Sequence, residues 1–460
     1  MQISTFPPIQ YKHSSRIVPP QLIQNIYLAE TEQCKSISLQ TQLTIQIEII
    51  IIRNIIRKNY LERLKMKKTT KLTTLAISTT LATSILITAC SQPDSGVTAA
   101  SIDSKATLGE LIFNDISLSK NGTQSCSSCH DSKHAFIDAR PNASSVHDNA
   151  IPAVALGQDN KSLGDINPPS VAYTAYVPEF HFDKEEKLFI GGLFLNGRSP
   201  NLEDQAKHPF LNEIEMQTTK HDVVAKVKAK YSAAFESLYG SYVFNTTETA
   251  FDSIADSIAQ FEKTDAVSPF NSKFDKVLKG EVEFTKQEQL GHDIFVDEDK
   301  ANCAACHAVP ELSSSKKESL FTDFSYDNLG VPANSRVRAL NGQAEDYVDL
   351  GLFNNPQVDD PELKGAFRVS SLRNVAVTGP YMHNGVFNDL ATVVRFYNDR
   401  DVKHAINPET QQPWKKGEVD ATKNTEELGD LELTDKEIDA IVAFMKTLTD
   451  ERYEHLIPKK

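Results

Sequence analysis

The chain has 460 residues, of which 40% are hydrophobic and 24% are charged, so it is too long and too apolar for a disordered tail or a disulfide-stapled miniprotein. Its formal net charge is −14, but residues 1–89 hold eleven Lys or Arg and four Glu, which leaves −21 for residues 90–460. So acidic a chain would repel a phosphate backbone, which excludes nucleic acid as a partner and favours a basic protein partner. The length predicts two or three domains.

The region around Met66 is typical of an export signal. Three lysines lie within residues 67–71, and residues 72–89 are uncharged and largely apolar up to Cys90. We therefore interpret residues 66–90 as a signal peptide. Its end, Ile-Thr-Ala-Cys, resembles the bacterial lipobox, in which the cysteine receives lipid.

A lipid anchor on Cys90 would place the protein in the periplasm, held at the outer membrane without spanning it. The alternatives are an ordinary signal or an uncleaved transmembrane helix. Upstream of the signal, residues 1–65 contain only a short apolar run broken by Glu48 and Arg53. We expect these residues to be an upstream extension that results from a wrongly assigned translation start. Residues 91–103 are expected to form a linker.

The exported part of the chain repeats one pattern. The sequence L-G-x-x-I-F occurs at residues 108–113 and at residues 290–295, and each copy is followed by C-x-x-C-H. We expect an internal duplication, with one cytochrome c-type domain over residues 104–265 and a second over residues 266–460.

Helical periodicity predicts a mainly α fold. Apolar residues recur at helical spacing in residues 250–261 and 434–448, and the second segment begins with a capping box from Thr434 to Glu437. Strand-like alternation is scarce. Three long stretches rich in Pro, Gly and Asn are expected to be ordered loops that wrap a cofactor, namely residues 141–170, 325–366 and 400–427.

The two C-x-x-C-H motifs predict two covalently bound haems of the c type. Thiols three positions apart can form thioethers with both vinyl groups of one haem, and the adjacent histidine then lies under the iron as an axial ligand. The attachment residues would be Cys126, Cys129, Cys303 and Cys306, with His130 and His307 as proximal ligands. Alone, each C-x-x-C could also be half of a zinc site or a redox dithiol, but zinc would need further Cys or His ligands.

Further motifs resemble one bacterial family. They are N-P-P-S at residues 167–170, F-L-N-G-R at 194–198, L-E-D-Q at 202–205, L-R-N at 372–374 and P-Y-M-H-N-G at 380–385. In this combination, over about residues 104–450, the chain is similar to the dihaem cytochrome c peroxidases and MauG. The resemblance implies that the N-terminal haem meets hydrogen peroxide and that the C-terminal haem passes electrons.

The resemblance also assigns the residues around both haems. By motif position Gln205, Pro209 and Glu215 would line the distal face of the N-terminal haem, with Glu215 moving a proton between the peroxide oxygens. For Glu215 the alternative is a solvated loop carboxylate. A calcium ion would be bound by the side-chain oxygen of Asn167, with waters and the backbone carbonyls of Thr378 and Pro380; an ordinary turn is the alternative there.

The chain departs from the peroxidase pattern in three places. Where regulated peroxidases carry a histidine that blocks the N-terminal iron, this chain has Gln158, so we expect an open site. Tyr397 occupies the position of the second axial ligand of the C-terminal haem, where peroxidases have Met and MauG has Tyr; a core tyrosine is the alternative. Leu195 replaces the tryptophan that usually lies between the haems, and the sole tryptophan, Trp414, lies in a later loop.

Three functions follow from these features. The first is a periplasmic peroxidase that reduces hydrogen peroxide with electrons from a small redox protein, either a cytochrome c or a cupredoxin. The second is a MauG-like oxidase that acts on aromatic side chains of a partner protein. The third is a non-enzymatic dihaem electron carrier, which would leave Gln205 and Glu215 without a role. A homodimer is compatible with all three.

Overall fold

The structure is a computed structural model that describes residues 102–146, 150–311, 314–316, 318–344 and 346–459. The segments predicted as extension, signal and most of the linker, with Cys90, lie outside the described residues. Helix dominates what is described, as predicted. Eleven α-helices are present in the described part of the chain: α1 Lys105–Phe113, α2 Cys126–Cys129, α3 Leu202–Gln205, α4 His208–Leu211, α5 Lys220–Tyr239, α6 Thr247–Glu262, α7 Lys273–Leu278, α8 Lys286–Val296, α9 Ser335–Asn341, α10 Leu390–Asp399 and α11 Asp435–Lys446.

Helix ends follow capping chemistry. Thr246 caps α6, and the predicted capping box of α11 forms between Thr434 and Glu437. A second capping box, between Thr285 and Glu288, begins α8. These side chains satisfy amide groups that the first turn of a helix leaves without partners.

Two helix pairs cross in the same way. Helix α1 packs on α6, and α8 packs on α11. A β-carbon added at Gly109 would lie 1.8 Å from the carbonyl oxygen of Ser257, and one at Gly291 would lie 1.9 Å from that of Ala440. The glycine of each L-G-x-x-I-F copy is therefore required for the close approach of its helix pair.

Each helix pair has its own hydrophobic core. The N-terminal core includes Leu108, Phe210, Phe235 and Phe251, and the C-terminal core includes Phe444 with other aromatic and aliphatic side chains. Burial of these side chains is the main driving force that holds the helices together.

Sheet structure is limited to three antiparallel pairs in the described residues. β1 His181–Asp183 pairs with β2 Leu188–Ile190, β3 Tyr326–Asp327 pairs with β4 Phe367–Arg368, and β5 Ile406–Asn407 pairs with β6 Gln412–Pro413. Among the described helices, none combines the length and hydrophobicity that crossing a bilayer requires.

Candidate dihaem site

The first C-x-x-C-H motif presents its histidine in a fixed orientation. Helix α2 is a single turn that contains both Cys126 and Cys129, and His130 follows it directly. The His130 Nδ1 donates a hydrogen bond to the carbonyl oxygen of Phe136 at 3.1 Å. Because the carbonyl can only accept, the proton is on Nδ1, which leaves Nε2 free to bind a metal.

The second motif repeats this arrangement. Cys303 begins a 3-10 turn, Cys303–Ala305, and His307 Nδ1 donates to the carbonyl oxygen of Phe321 at 2.9 Å. Phe136 and Phe321 share a left-handed backbone, with φ of 58° and 55°. Both histidines are therefore held in the orientation that axial ligation of haem iron uses.

A large cavity adjoins the second motif. Its volume is about 360 Å³, and its walls include Cys303, Cys306, His307 and Tyr397. Arg368 also lines the cavity, and its Nε is buried without a hydrogen-bond partner. A haem carries two propionates that such a guanidinium could bind, so the thiols, the histidine, the cavity and the Arg368 Nε, which has no partner within the described ranges, fit a haem.

Zinc fits these motifs less well. Within the part of the chain that the structure describes, no group of three or more His, Cys, Asp or Glu side chains is arranged to hold a metal ion. Neither pair of cysteines therefore has the additional ligands that a zinc site requires.

The predicted distal residues lie in one tightly bonded segment. Gln205 ends α3, and Pro209 lies in the first turn of α4. The Met216 amide donates to the Pro209 carbonyl at 3.1 Å, and the Glu215 amide donates to the Asn212 carbonyl at 3.2 Å. These bonds fold the segment after α4 back on the helix, which fixes the backbone position of Glu215.

Burial raises the pKa of Glu215 above its ordinary value, while a hydrogen bond from Asn212 and the charge of Arg198 oppose the increase. The Asn212 amide donates to Glu215 Oε1 at 2.7 Å. Burial raises the pKa values of the Cys126 and Cys129 thiols, and the Glu215 charge adds a smaller increase. The half-buried carboxyl group of Glu215 is therefore close enough to the first C-x-x-C-H motif to act on it electrostatically.

Gln158 is buried beside this segment. Its amide Nε2 donates to Gln217 Oε1 at 2.9 Å, and its backbone amide donates to the Glu215 carbonyl at 3.0 Å. Its Oε1 has no partner in the part of the chain that the structure describes. His134 lies elsewhere, with Nδ1 bonded to Asp131 Oδ2 at 2.7 Å and a side chain that is 40% exposed. Gln158 is therefore tied to the loop that positions Glu215.

Comparison with known proteins agrees with this geometry. Residues 103–283 match the family model of di-haem cytochrome c peroxidases. The methylamine utilization protein MauG of Paracoccus denitrificans is 43% identical over 362 residues, which cover 77% of this chain and 91% of that protein.

The chain belongs to the di-haem cytochrome c peroxidase and MauG family. Cytochrome c551 peroxidase of Nitrosomonas europaea is 28% identical over 80% of this chain and 86% of that protein. The crystal structure of the diheme peroxidase BthA from Burkholderia thailandensis superposes with a TM-score of 0.69 at 31% identity, over 77% of this chain and 88% of that one. Two haems and an oxidoreductase activity of the peroxidase type follow from this membership.

In this dihaem peroxidase family member, the half-buried Tyr397 lies in α10 and lines the cavity with Cys303 and Cys306. Burial raises the pKa of the phenol, the charges of nearby acidic groups raise it further, and Arg400 opposes them. No hydrogen bond satisfies the hydroxyl group among the described residues. A phenol oriented into a cavity without a partner is available to a ligand there.

The residues predicted to bind calcium are near one another. Asn167 Nδ2 donates to the Pro380 carbonyl at 2.5 Å, and the Asn167 backbone amide donates to the His383 carbonyl at 2.8 Å. Thr378 and Pro380 line the same cavity as Asn167. Asn167 therefore contacts the backbone carbonyls of Pro380 and His383, and Thr378 lines the same cavity.

The L-R-N motif has a structural role that the sequence did not reveal. Arg373 forms a bidentate ion pair with Asp275, at 2.8 and 2.9 Å, and Asn374 donates to Asp450 at 2.8 Å. Asp450 also accepts a bond from the Tyr173 hydroxyl at 2.6 Å. This buried network joins residues far apart in the chain, so only its polar residue types, and not their pairing, were visible in the sequence.

Leu195 lines the cavity and its carbonyl accepts a bond from the Arg368 amide at 2.9 Å. The neighbouring Phe194 contacts the guanidinium of Arg198 at 3.5 Å and the His208 ring at 5.4 Å. Trp414 donates to Asp399 Oδ1 at 2.7 Å and packs on aromatic rings of the C-terminal half. No described contact explains why leucine replaces tryptophan at position 195.

The sequence analysis also missed the surroundings of His383. Its ring stacks on Phe367 at 3.7 Å between centroids, and burial, together with the charge of Arg338, lowers its pKa to about 3. The sequence carries no signal for these contacts, because Phe367 and Arg338 are brought to His383 only by the tertiary fold.

Proposed function

We propose that the chain is a peroxidase that reduces hydrogen peroxide to water with two electrons and two protons, the electrons coming from a small cytochrome c or cupredoxin. When bound, the haems supply the iron that coordinates peroxide and the centre that relays electrons. The observation that carries the proposal is Glu215, a half-buried carboxyl group that accepts a hydrogen bond from Asn212 and whose charge acts on both cysteines of the first C-x-x-C-H motif.

Glu215 has the properties that proton transfer requires. Cleaving the O–O bond of peroxide to water needs a group that accepts a proton from one oxygen and returns it to the other. A carboxyl group whose pKa is raised by burial can do both near neutral pH, and the Asn212 hydrogen bond orients it. We assign Gln205 and Pro209 to the same distal wall, with Gln205 as a polar neighbour of bound peroxide.

At the second site we propose thioether attachment through Cys303 and Cys306, with His307 and Tyr397 as axial ligands. The first haem would be attached in the same way through Cys126 and Cys129, with His130 below the iron. The Tyr397 hydroxyl lines the cavity and has no hydrogen-bond partner among the described residues, which supports it as the ligand. Burial raises the pKa of the free phenol, and the charge of Arg400 opposes that increase. An anionic oxygen ligand would stabilise oxidised iron, whereas a thioether ligand raises the potential.

We also propose one calcium ion between the halves, bound by Asn167, Thr378 and Pro380. A 180° turn of the Asn167 amide would place its oxygen beside the Pro380 carbonyl, and such a turn exchanges only the amide N and O positions. Three oxygen donors completed by waters suit a hard cation.

Each half has a glycine at the close contact of its helix pair and a C-x-x-C-H histidine bonded to a backbone carbonyl. These matching features support two duplicated domains, residues 104–265 and residues 266–460. From the sequence alone we propose export to the periplasm, cleavage after residue 89 and a lipid anchor on Cys90. A homodimer is compatible with this proposal.

A second candidate is a MauG-like oxidase that draws electrons from aromatic side chains of a partner protein. Two observations favour it: the 43% identity to MauG and the tyrosine at position 397. The candidates differ in turnover. A peroxidase oxidises reduced cytochrome c rapidly with peroxide, whereas the oxidase would keep a long-lived oxidised state and turn cytochrome over poorly.

The proposal is tested with Glu215→Gln in haem-loaded protein. Peroxide-dependent oxidation of a reduced cytochrome c should fall about 10²-fold or more, because the amide cannot accept the proton. Glu213→Gln is the matched control, since Glu213 is exposed in the same loop, and it should retain activity. If Glu215→Gln retains full haem loading and wild-type turnover, the proposed role is wrong.

A further inference from the structure

The hairpin of β1 and β2 exposes apolar side chains that a protein in water would ordinarily bury. Phe182 is 47% exposed and Leu188 is 43% exposed. The hairpin packs on the loop that follows Leu352, since Phe180 and Phe189 share a hydrophobic cluster with Val358. Exposed aromatic side chains are typical of the centres of protein interfaces.

Acidic side chains surround these exposed residues. Residues 179–190 and 357–364 together hold seven Asp or Glu and three Lys, a net charge of −4. The acidic residues include Glu185, Glu186 and Glu362, which are exposed and have no ion pair among the described residues. We call the surface of residues 179–190 and 357–364 the acidic hairpin patch.

Aromatic rings connect the patch to the haem cavity. The Phe182 and Phe189 rings are 5.1 Å apart between centroids, Phe189 and Phe180 are 5.3 Å apart and stacked, and Phe180 and Tyr326 are 6.1 Å apart. Tyr326 is the strand partner of Arg368, which lines the cavity. Packed rings therefore form a continuous path from the exposed Phe182 to Tyr326, whose strand partner Arg368 lines the cavity.

We propose that the acidic hairpin patch docks a basic, soluble, one-electron redox protein and that this protein reduces the C-terminal site along the Phe182-to-Tyr326 path. The inference rests on the proposed function, since it names the electron donor by class. Each docking event oxidises the donor by one electron and reduces the C-terminal haem by one, so two events supply the electrons for one peroxide.

The negative charge of the patch favours a basic donor over a second copy of this chain as its partner. A chain that carries −21 after residue 89 repels its own copies, and two patches of the same sign would face each other across a symmetric contact. A basic partner with an apolar centre would instead be steered to the patch and would cover Phe182 and Leu188.

Binding is measured by titration calorimetry of the holoprotein with a commercial basic mitochondrial cytochrome c at low ionic strength. The triple variant Glu185→Lys, Glu186→Lys and Glu362→Lys should weaken binding about tenfold or more, and Phe182→Ala should also weaken it. The control variant Glu110→Lys, Glu236→Lys and Glu283→Lys changes the net charge equally at exposed sites outside the patch, and it should bind within threefold of wild type.

Equal weakening by both triple variants, or none by the patch variant, would overturn the proposal. A dimer in sedimentation that the patch variant dissociates would also overturn it, because a second copy would then cover the patch. The reaction of chemically reduced protein with hydrogen peroxide needs no docking. If reduced wild-type protein does not react with hydrogen peroxide, the proposed function is wrong. If all variants react with it and the patch variant binds cytochrome c as tightly as wild type, only the docking inference is wrong.

Discussion

Removal of the Arg373 guanidinium should destabilise the protein more than removal of any exposed cation. Its ion pair with Asp275 joins two side chains that are only 1% and 8% exposed, and its Nε donates to the Ser319 carbonyl at 2.7 Å. In Arg373→Leu the Asp275 carboxylate stays buried without its partner. Breaking a buried pair in this way costs about 3–5 kcal/mol.

Urea unfolding of the haem-loaded protein measures this loss. The control is Arg395→Leu, which breaks the exposed pair with Asp435 and should cost about 1 kcal/mol or less. Adding Asp275→Asn to Arg373→Leu should recover part of the stability, because the amide removes the buried charge and keeps the hydrogen bond to Ser272. A cost for Arg373→Leu equal to that of the control would refute this reasoning.

The same pair predicts a pH dependence. Burial alone raises the pKa of Asp275, but hydrogen bonds from Arg373 and its charge outweigh burial and hold that pKa below the ordinary value. A lowered folded-state pKa stabilises the protein above the ordinary pKa of Asp, about 4, and this stability is lost as the pH falls through the folded-state value. The difference between wild type and Arg373→Leu should therefore shrink in acid.

Three further predictions concern the sites. Tyr397→Phe should raise the reduction potential of one haem in a spectroelectrochemical titration, because it removes the proposed oxygen ligand. Tyr381→Phe is the control, since the Tyr381 hydroxyl lines the cavity but is already bonded to the Val375 carbonyl. A potential for Tyr397→Phe equal to that of wild type would contradict ligation by Tyr397. Gly291→Ala should lower the free energy of unfolding by about 1–3 kcal/mol, because the added methyl group would overlap the Ala440 carbonyl. An unchanged free energy of unfolding would show that the close approach of α8 and α11 does not require glycine. The rate of peroxide reaction should fall as the pH drops through the raised pKa of Glu215, so its acid limb should lie above the ordinary pKa of a glutamate. Glu215→Gln should lack that limb.

Local sequence patterns carried most of the site prediction. Two C-x-x-C-H motifs placed both cysteine pairs and both histidines, and helical spacing with the Thr434 capping box located α11. Glu215 was found through its distance from Gln205 in a motif, and its burial followed only from the structure. Local patterns succeed here because their geometry is fixed by a few consecutive residues.

Contacts between distant residues were not predictable. The carbonyl partners of His130 and His307 depend on left-handed residues that have no sequence signal, and the Tyr173 to Asp450 bond joins residues 277 positions apart. The β1–β2 hairpin was missed because its strands have three residues each, too few for alternation to be recognised. Such features arise from tertiary packing and require coordinates.

Our central proposal is that the N-terminal haem is open to peroxide, because Gln158 replaces the blocking histidine of regulated peroxidases and its side chain is bonded to Gln217. The most direct measurement is the ferric absorption spectrum of the haem-loaded protein before and after one equivalent of hydrogen peroxide, with no reductant present. The account predicts a high-spin component that changes at once on mixing. Two low-spin haems that do not respond to peroxide would contradict it, because a ligand from the chain would then close the site.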